Sequence, residues 1–289
     1  MNIFTLYLWF MIYSFLGWLY ESMLYTVDRK KFVNRGFLNG PYCPIYGAGA
    51  VLFILTTNGI ENFFLRFLAG GLIACLLEYV TSYTLEKLFH ARWWDYTPRR
   101  FNIKGRVCLI GFVVFGAFAV FMPWIHHFIA GITNQLSWPA TVIIALLLAA
   151  VFITDIAITN AGLVRFNKVL KEYQKAIDRH YLHALEFIRR GKRTFEMHIA
   201  GTRKHFKHVL DLQQRRTIEA FPYFISTRYN EALEHLRELN ADSRLKIIAR
   251  RQERKQSRRQ GSKQSRNSNP KIRKNHRKSG RKSGHKRRK

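Results

Sequence analysis

Asn34-Arg-Gly-Phe-Leu-Asn-Gly-Pro-Tyr-Cys-Pro-Ile-Tyr-Gly47 joins two hydrophobic segments, and its reading decides the fold. Gly36, Gly40, Gly47, Pro41 and Pro44 impose an irregular backbone. Each proline removes a backbone donor and pushes the residue before it out of the helical region. Irregular backbone at a membrane boundary survives only where protein or water covers it. Two readings stay open for the motif residues Asn34, Gly36, Gly40, Pro41, Cys43, Pro44, Tyr46 and Gly47. They form either a tight connection between two membrane helices or a structured, re-entrant binding loop. Arg35 needs an anion in both.

Outward from this stretch, the apolar segments are long enough to cross a bilayer repeatedly. A span needs about 20 apolar residues. Residues 3–20 are uncharged and lack the basic start and small-residue cleavage site of a signal peptide. They are expected to open a first membrane helix running to about Val27. A second span starts within the Pro-Tyr-Cys-Pro motif and ends near Thr57. A third covers about 63–83, with Gly70 and Ala74 on a small-residue face. A fourth covers about 107–125, and a fifth runs from Trp138-Pro139 to about Asn160. The expected fold is all-α, a polytopic membrane protein with about five transmembrane helices.

Charge divides the chain. Residues 1–160 hold 11 Lys and Arg against 7 Asp and Glu, whereas residues 161–289 hold 37 against 11. Such asymmetry signals two different solvents. Within the first part, the loops at 28–35 and 87–106 are basic, and those at 58–62 and 126–138 contain no Lys or Arg. The positive-inside rule then places the N-terminus outside and the C-terminus in the cytoplasm. Beyond Asn160, Leu163, Phe166, Leu170, Tyr173, Ile177, Tyr181 and Leu185 form an amphipathic, coiled-coil-like stripe. Further helices are expected over 193–216 and 224–256, interrupted near Gly191 and Pro222. Residues 257–289 have no apolar face and are expected to be disordered. Three regions follow: a transmembrane domain over 1–160, a cytoplasmic amphipathic helical region over 161–256, and a disordered polybasic tail over 257–289. That tail should attract anionic lipid first and non-specific nucleic acid second.

Carboxylates at bilayer depth are expensive and mark candidate sites. Glu21 falls near the inner end of the first span, Glu78 in the inner third of the third, and Asp155 in the inner third of the fifth. Glu78, Ser82 and Glu86 share one helix face. Glu21, Arg35, Glu78, Ser82, Asp95, Arg106 and Asp155 make a candidate polar vestibule facing the cytoplasm. The same residues can instead be ion-paired fasteners, with Glu21 and Glu78 holding Arg35 and Arg106. No nucleophile–base pair nominates a catalytic site, and the three cysteines form neither a zinc pattern nor a disulfide framework. His198, His205 and His208 could share a helix face, which reads as solvated surface. No cofactor, metal or enzymatic activity is expected.

Gly17-Trp18, Glu21-Ser22, the Asn34–Gly47 stretch, Leu77-Glu78-Tyr79 with Thr81-Ser82, Trp93-Trp94-Asp95-Tyr96, and Asn102-Ile103 followed by Gly105-Arg-Val-Cys-Leu109 belong together as a pattern. Over roughly residues 1–160 the pattern resembles the ABC-transporter permease family of type IV, also called CmpB-like. The resemblance implies a permease component in the bacterial cytoplasmic membrane, surrounded by membrane lipids and served by a separate ATPase subunit. The chain has no G-x-x-x-x-G-K-[ST] stretch of its own. An oligomer is compatible with this reading. A membrane-anchored scaffold and a membrane-embedded enzyme are the alternatives.

Overall fold

A computed structural model describes residues 2–57, 59–189 and 212–238. The chain divides into a unit ending at Leu236 and a second from Arg237 to Lys289. Of the second, only residues 237 and 238 are among those described. His198, His205, His208 and the polybasic tail lie outside the described residues.

Helix α1 covers Ile3–Arg29 and is started by Asn2, whose side chain accepts the Thr5 N–H. Its 27 residues give about 40 Å, more than a full bilayer core. Helix α2 covers only Pro44–Thr57, 14 residues or about 21 Å. Helix α3 covers Phe63–Phe89, capped by Asn62, and α4 covers Leu109–Thr133. Helix α5 runs unbroken from Trp138 to Arg189, 52 residues or about 78 Å. It passes residue 160 without interruption and so carries the chain from the apolar bundle into the polar region as one rod. α1, α3, α4 and α5 are long and apolar enough to cross a membrane; α2 is apolar but shorter.

Residues 33–43, not a helix, make up the missing length before α2. This segment turns back along α1. The Val33 N–H donates to Thr26 Oγ1 at 3.3 Å, and Arg35 N–H to Ser22 Oγ at 3.3 Å. Deeper, the Cys43 N–H donates to the Ser14 carbonyl at 2.8 Å. Ser14 is 15 residues, or about 22 Å, from the C-terminal end of α1. α2 therefore begins well inside the bundle and continues antiparallel to α1. Gly17 lies against the Tyr46 side chain, and Gly47 against Ser14 and the Phe10 backbone. A Cβ at Gly47 would collide with that backbone carbonyl, so only glycine permits the approach. Ala50, Val51 and Ile54 then pack beside Trp9 and Tyr13.

α3 and α4 are antiparallel and closely packed. Gly70 faces Ala119, Gly71 faces the Phe112 ring, and Gly116 faces Phe67. The outward faces of α3, α4 and α5 remain apolar, as at Leu72, Leu76, Val80, Phe121, Leu147 and Val151. An apolar belt of that extent suits a bilayer, not water. The ends sort as the loops require. The starts of α1, α3 and α5 share one end of the bundle; Phe4 meets Trp138 and Phe63 meets Trp124. The basic loops lie at the other end.

At that basic end the connection between α3 and α4 carries three two-residue strands. β2 (Asn102–Ile103) pairs with β3 (Val107–Cys108), and β1 (Ala91–Arg92) pairs with β4 (Ile225–Ser226) from the returning chain. Helix α6 (Leu212–Ala220) and a short helix over 230–238 flank β4. The chain breaks at Pro222 as expected, but the helix before it runs to Ala220, past 216, and the helix expected from 224 starts only at 230, because residues 225–226 are taken into β4. The stripe on α5 is covered by these residues: Leu163, Phe166, Leu170 and Tyr173 are buried, as are Ile218, Phe224, Ala232, Leu233 and Leu236. Phe224 joins the two layers, at 6.1 Å from Phe166 and 5.3 Å from Trp93.

Candidate functional site

The polar residues inside the apolar bundle form three groups. The first surrounds Asp155 on α5. Its carboxylate accepts from the Gly40 N–H at 2.7 Å, the Tyr42 hydroxyl at 2.6 Å, and both the N–H (3.2 Å) and side-chain amide (2.9 Å) of Asn39. Thr159 adds a fifth bond at 3.2 Å. Pro41 lies between the contact points. The group fastens the deep part of the irregular segment to α5, and every lone pair of the carboxylate is engaged.

The second group lies where α1, α2, α3 and α4 meet. Glu21 accepts from Tyr46 Oη at 2.6 Å and pairs with Arg35 Nε at 3.5 Å. The Arg35 guanidinium stacks 3.7 Å from the Tyr25 ring centroid and donates to the Ala220 carbonyl. Glu78 Oε1 accepts from Tyr96 Oη at 3.3 Å. Its other oxygen, Oε2, is buried, faces Gly111, and has no hydrogen-bond partner. Burial first, then the Glu78 carboxylate, holds the Tyr96 phenol above its ordinary range, with Glu21 contributing. Tyr96 therefore stays a donor. Tyr46, the partner of Glu21, lies 5.9 Å from the Phe115 ring, one turn along α4 from the Gly111 that Glu78 faces, so the two carboxylates border one interior.

Arg106 anchors the third group. Its guanidinium meets Glu86 at 2.7 Å and donates to Ser82 Oγ at 3.2 Å. Arg92 Nε meets the same Glu86 oxygen, Oε2, also at 2.7 Å. Arg106 thus reaches the lower two positions of the Glu78–Ser82–Glu86 face and leaves Glu78 to Tyr96. The pairing of Glu78 with Arg106, one of the two readings of the sequence, is replaced by this arrangement because Tyr96 occupies the space beside Glu78. Asp95 stands apart, accepting from Thr97 in a surface turn.

Glu78→Gln should accordingly change stability little. A glutamine keeps an acceptor for Tyr96 and removes a buried charge that no cation offsets. Thermal unfolding in detergent should match the parent within about 1 kcal/mol or exceed it. A large loss would reveal a cation bound to Glu78.

Residues 8–160 match the family model described as "Putative ABC-transporter type IV", more than half of the chain. The chain belongs to this family. No curated protein and no solved structure matches it. With its apolar helices, membership makes the chain a multi-pass membrane protein of the ABC-transporter type. All three polar groups lie within the matched residues, but two of their supports do not. Ala220 receives Arg35, and Arg216 donates to the carbonyls of Phe37 (3.3 Å) and Leu38 (2.8 Å). Burial pulls the Arg216 guanidinium down from its ordinary value, with Asp155 opposing; an arginine remains cationic regardless.

Sequence reading missed Arg216, Tyr46 and Tyr96 as partners of the candidate residues. Tyr46 and Tyr96 stood in quoted motifs, but an aromatic at the membrane boundary reads first as an interfacial anchor. Arg216 gave no signal among 37 basic residues. Of the cysteines, Cys43 and Cys108 are buried and Cys75 is partly so. Among the described residues, no three His, Cys, Asp or Glu side chains converge on a metal position.

Proposed function

We propose that this chain is the membrane-spanning permease component of an ABC-type transporter, operating with a separate ATPase subunit. Its N-terminus faces outward, and its basic end faces the cytoplasm. One observation carries the reading: the second crossing is discontinuous. A half-helix starts inside the bundle beside Glu21, and the interior it enters also holds Glu78 with an unpartnered oxygen. Broken helices that expose polar backbone and carboxylates at depth are the devices by which transporters bind and pass polar solutes. Glu21, Arg35, Glu78, Ser82 and Arg106 then line a vestibule at the cytoplasmic end, with Asp155 as its structural fastener and Asp95 at its rim. The docked residues 212–236 close that end in this conformation.

A membrane scaffold is the second reading. The saturated Asp155 carboxylate and the carbonyls held by Arg216 favour it, because both fix loops in place. The two readings separate experimentally. Purified from its native membrane in mild detergent, a permease component should carry ATP hydrolysis, and Glu21→Gln should change the rate. A chain that purifies without hydrolysis, or with hydrolysis indifferent to Glu21, leaves the scaffold. Orientation has its own assay, with Cys43, Cys75 and Cys108 replaced. Single cysteines at Glu61 and Ser137 should react with an impermeant thiol reagent on intact cells, and one at Arg100 only after permeabilisation. The opposite pattern would invert the topology.

A further inference from the structure

The β2–β3 hairpin at the basic end exposes Phe101 at 77 % and Ile103 at 60 %, between exposed Arg99, Arg100 and Lys104. Two large apolar side chains on a short turn, flanked by three cations, are disfavoured in water and in a hydrocarbon interior alike. The hairpin is nevertheless tightly built. Tyr96 N–H donates to Gly105 O at 2.8 Å, and Asn102 Nδ2 to Arg99 O at 2.7 Å. Asn102 Oδ1 accepts the Gly105 N–H at 2.9 Å. Phe101 itself sits at φ 52°, a left-handed conformation that costs a non-glycine residue about 1–2 kcal/mol. Its carbonyl accepts the Leu109 N–H at 3.1 Å, which fixes Phe101 beside the first turn of α4.

That contact gives the hairpin its surroundings. Leu109, Ile110 and Val113 on α4 are exposed apolar residues of the bilayer-facing surface. Phe101 extends this surface beyond the end of the helix, and the three cations stand where the apolar surface stops. We propose that the 97–105 hairpin is a binding site for anionic phospholipid. Phe101 and Ile103 enter the upper acyl region, and Arg99, Arg100 and Lys104 hold the headgroup phosphates. Charge complementarity selects the anionic lipid: basic residues near a membrane surface are each attracted to it, and a zwitterionic headgroup offers no net charge in return. This site is distinct from the polybasic tail, since it rests on a folded hairpin inside the family-matched region.

The test places a photoreactive benzoylphenylalanine at position 101 of the full chain. The protein is assembled into nanodiscs of equal parts phosphatidylglycerol and phosphatidylcholine, irradiated, and its adducts are weighed by mass spectrometry. Phosphatidylglycerol adducts should exceed phosphatidylcholine adducts by roughly three- to tenfold. Arg99→Gln, Arg100→Gln and Lys104→Gln together should bring the ratio to one while lipid adducts persist. The tail is unchanged in both proteins, so it cannot produce the difference. Adducts in bulk proportion in the parent, a ratio unaffected by removing the three cations, or crosslinks to protein alone would each overturn the site.

Discussion

Asp155→Asn is expected to destabilise the detergent-purified protein by roughly 3–5 kcal/mol, read as a lowered thermal unfolding temperature. The magnitude follows from what the carboxylate holds. Oδ2 accepts from the Gly40 N–H and the Tyr42 hydroxyl, and Oδ1 from Asn39 and Thr159. An asparagine keeps one acceptor oxygen and replaces the other with an NH2 group that only donates. Tyr42 can turn its hydroxyl to accept from the new amide, but the Gly40 N–H cannot, and a buried donor is left facing another donor. Residues 37–40 would then lose their position, and with them the carbonyls that receive Arg216. Cleavage by trypsin within residues 212–236 should therefore become faster in Asp155→Asn than in the parent. Unfolding and cleavage both unchanged would mean that Asp155 is not the fastener of this segment.

The same group shows how far the sequence could be read. The four long helices were legible because each is a long apolar run, and the capping asparagines Asn2 and Asn62 stand just before two of them. The shortness of α2 was not. Residues 44–57 are as apolar as a span, but the chain's descent along α1 depends on hydrogen bonds to Thr26, Ser22 and Ser14 that leave no periodic trace. The glycines and prolines of the motif announced irregular backbone without giving its depth. The choice between a connection and a re-entrant loop was open for that reason. The position of Gly47 against the Phe10 backbone shows how closely α2 packs on α1.

For the polar residues, spacing proved a partial guide. The i, i+4, i+8 rule put Glu78, Ser82 and Glu86 on one face, and Arg106 does reach two of them. Which acid takes the arginine depends on the 90–108 connection, where Tyr96 is delivered to Glu78 and Trp94 Nε1 donates to the Arg106 carbonyl at 3.0 Å. Long-range placements of this kind are set by tertiary packing and are silent in a single sequence. The amphipathic stripe of α5 was plain as a pattern, and its cover, the chain's own residues 212–236, was not.

Glu86→Gln should cost more than Arg106→Gln, although the two residues form one ion pair. Arg106 is the more deeply buried partner, its side chain 8 % exposed against 22 % for Glu86. Without Arg106, the Glu86 carboxylate keeps Arg92 at 2.7 Å and retains access to water. Without the carboxylate, Arg106 keeps one bond to Ser82 and the faces of Tyr79 and Tyr83, whose centroids lie 5.6 and 5.4 Å away. Ring faces attract a cation by about 0.5–2 kcal/mol, less than a desolvated guanidinium requires. Its Nε already lacks a partner. Stranding a buried charge costs roughly 3–5 kcal/mol, so Glu86→Gln should approach that loss and Arg106→Gln fall near half of it. The double variant should unfold at a higher temperature than Glu86→Gln alone, since removing the stranded cation relieves it. Equal losses in the two single variants would show that another acid takes over Arg106. Glu78 is then the only carboxylate on the same helix face, so the loss should be tested again in Glu78→Gln/Glu86→Gln, where a rescuing Glu78 would be exposed by a further drop.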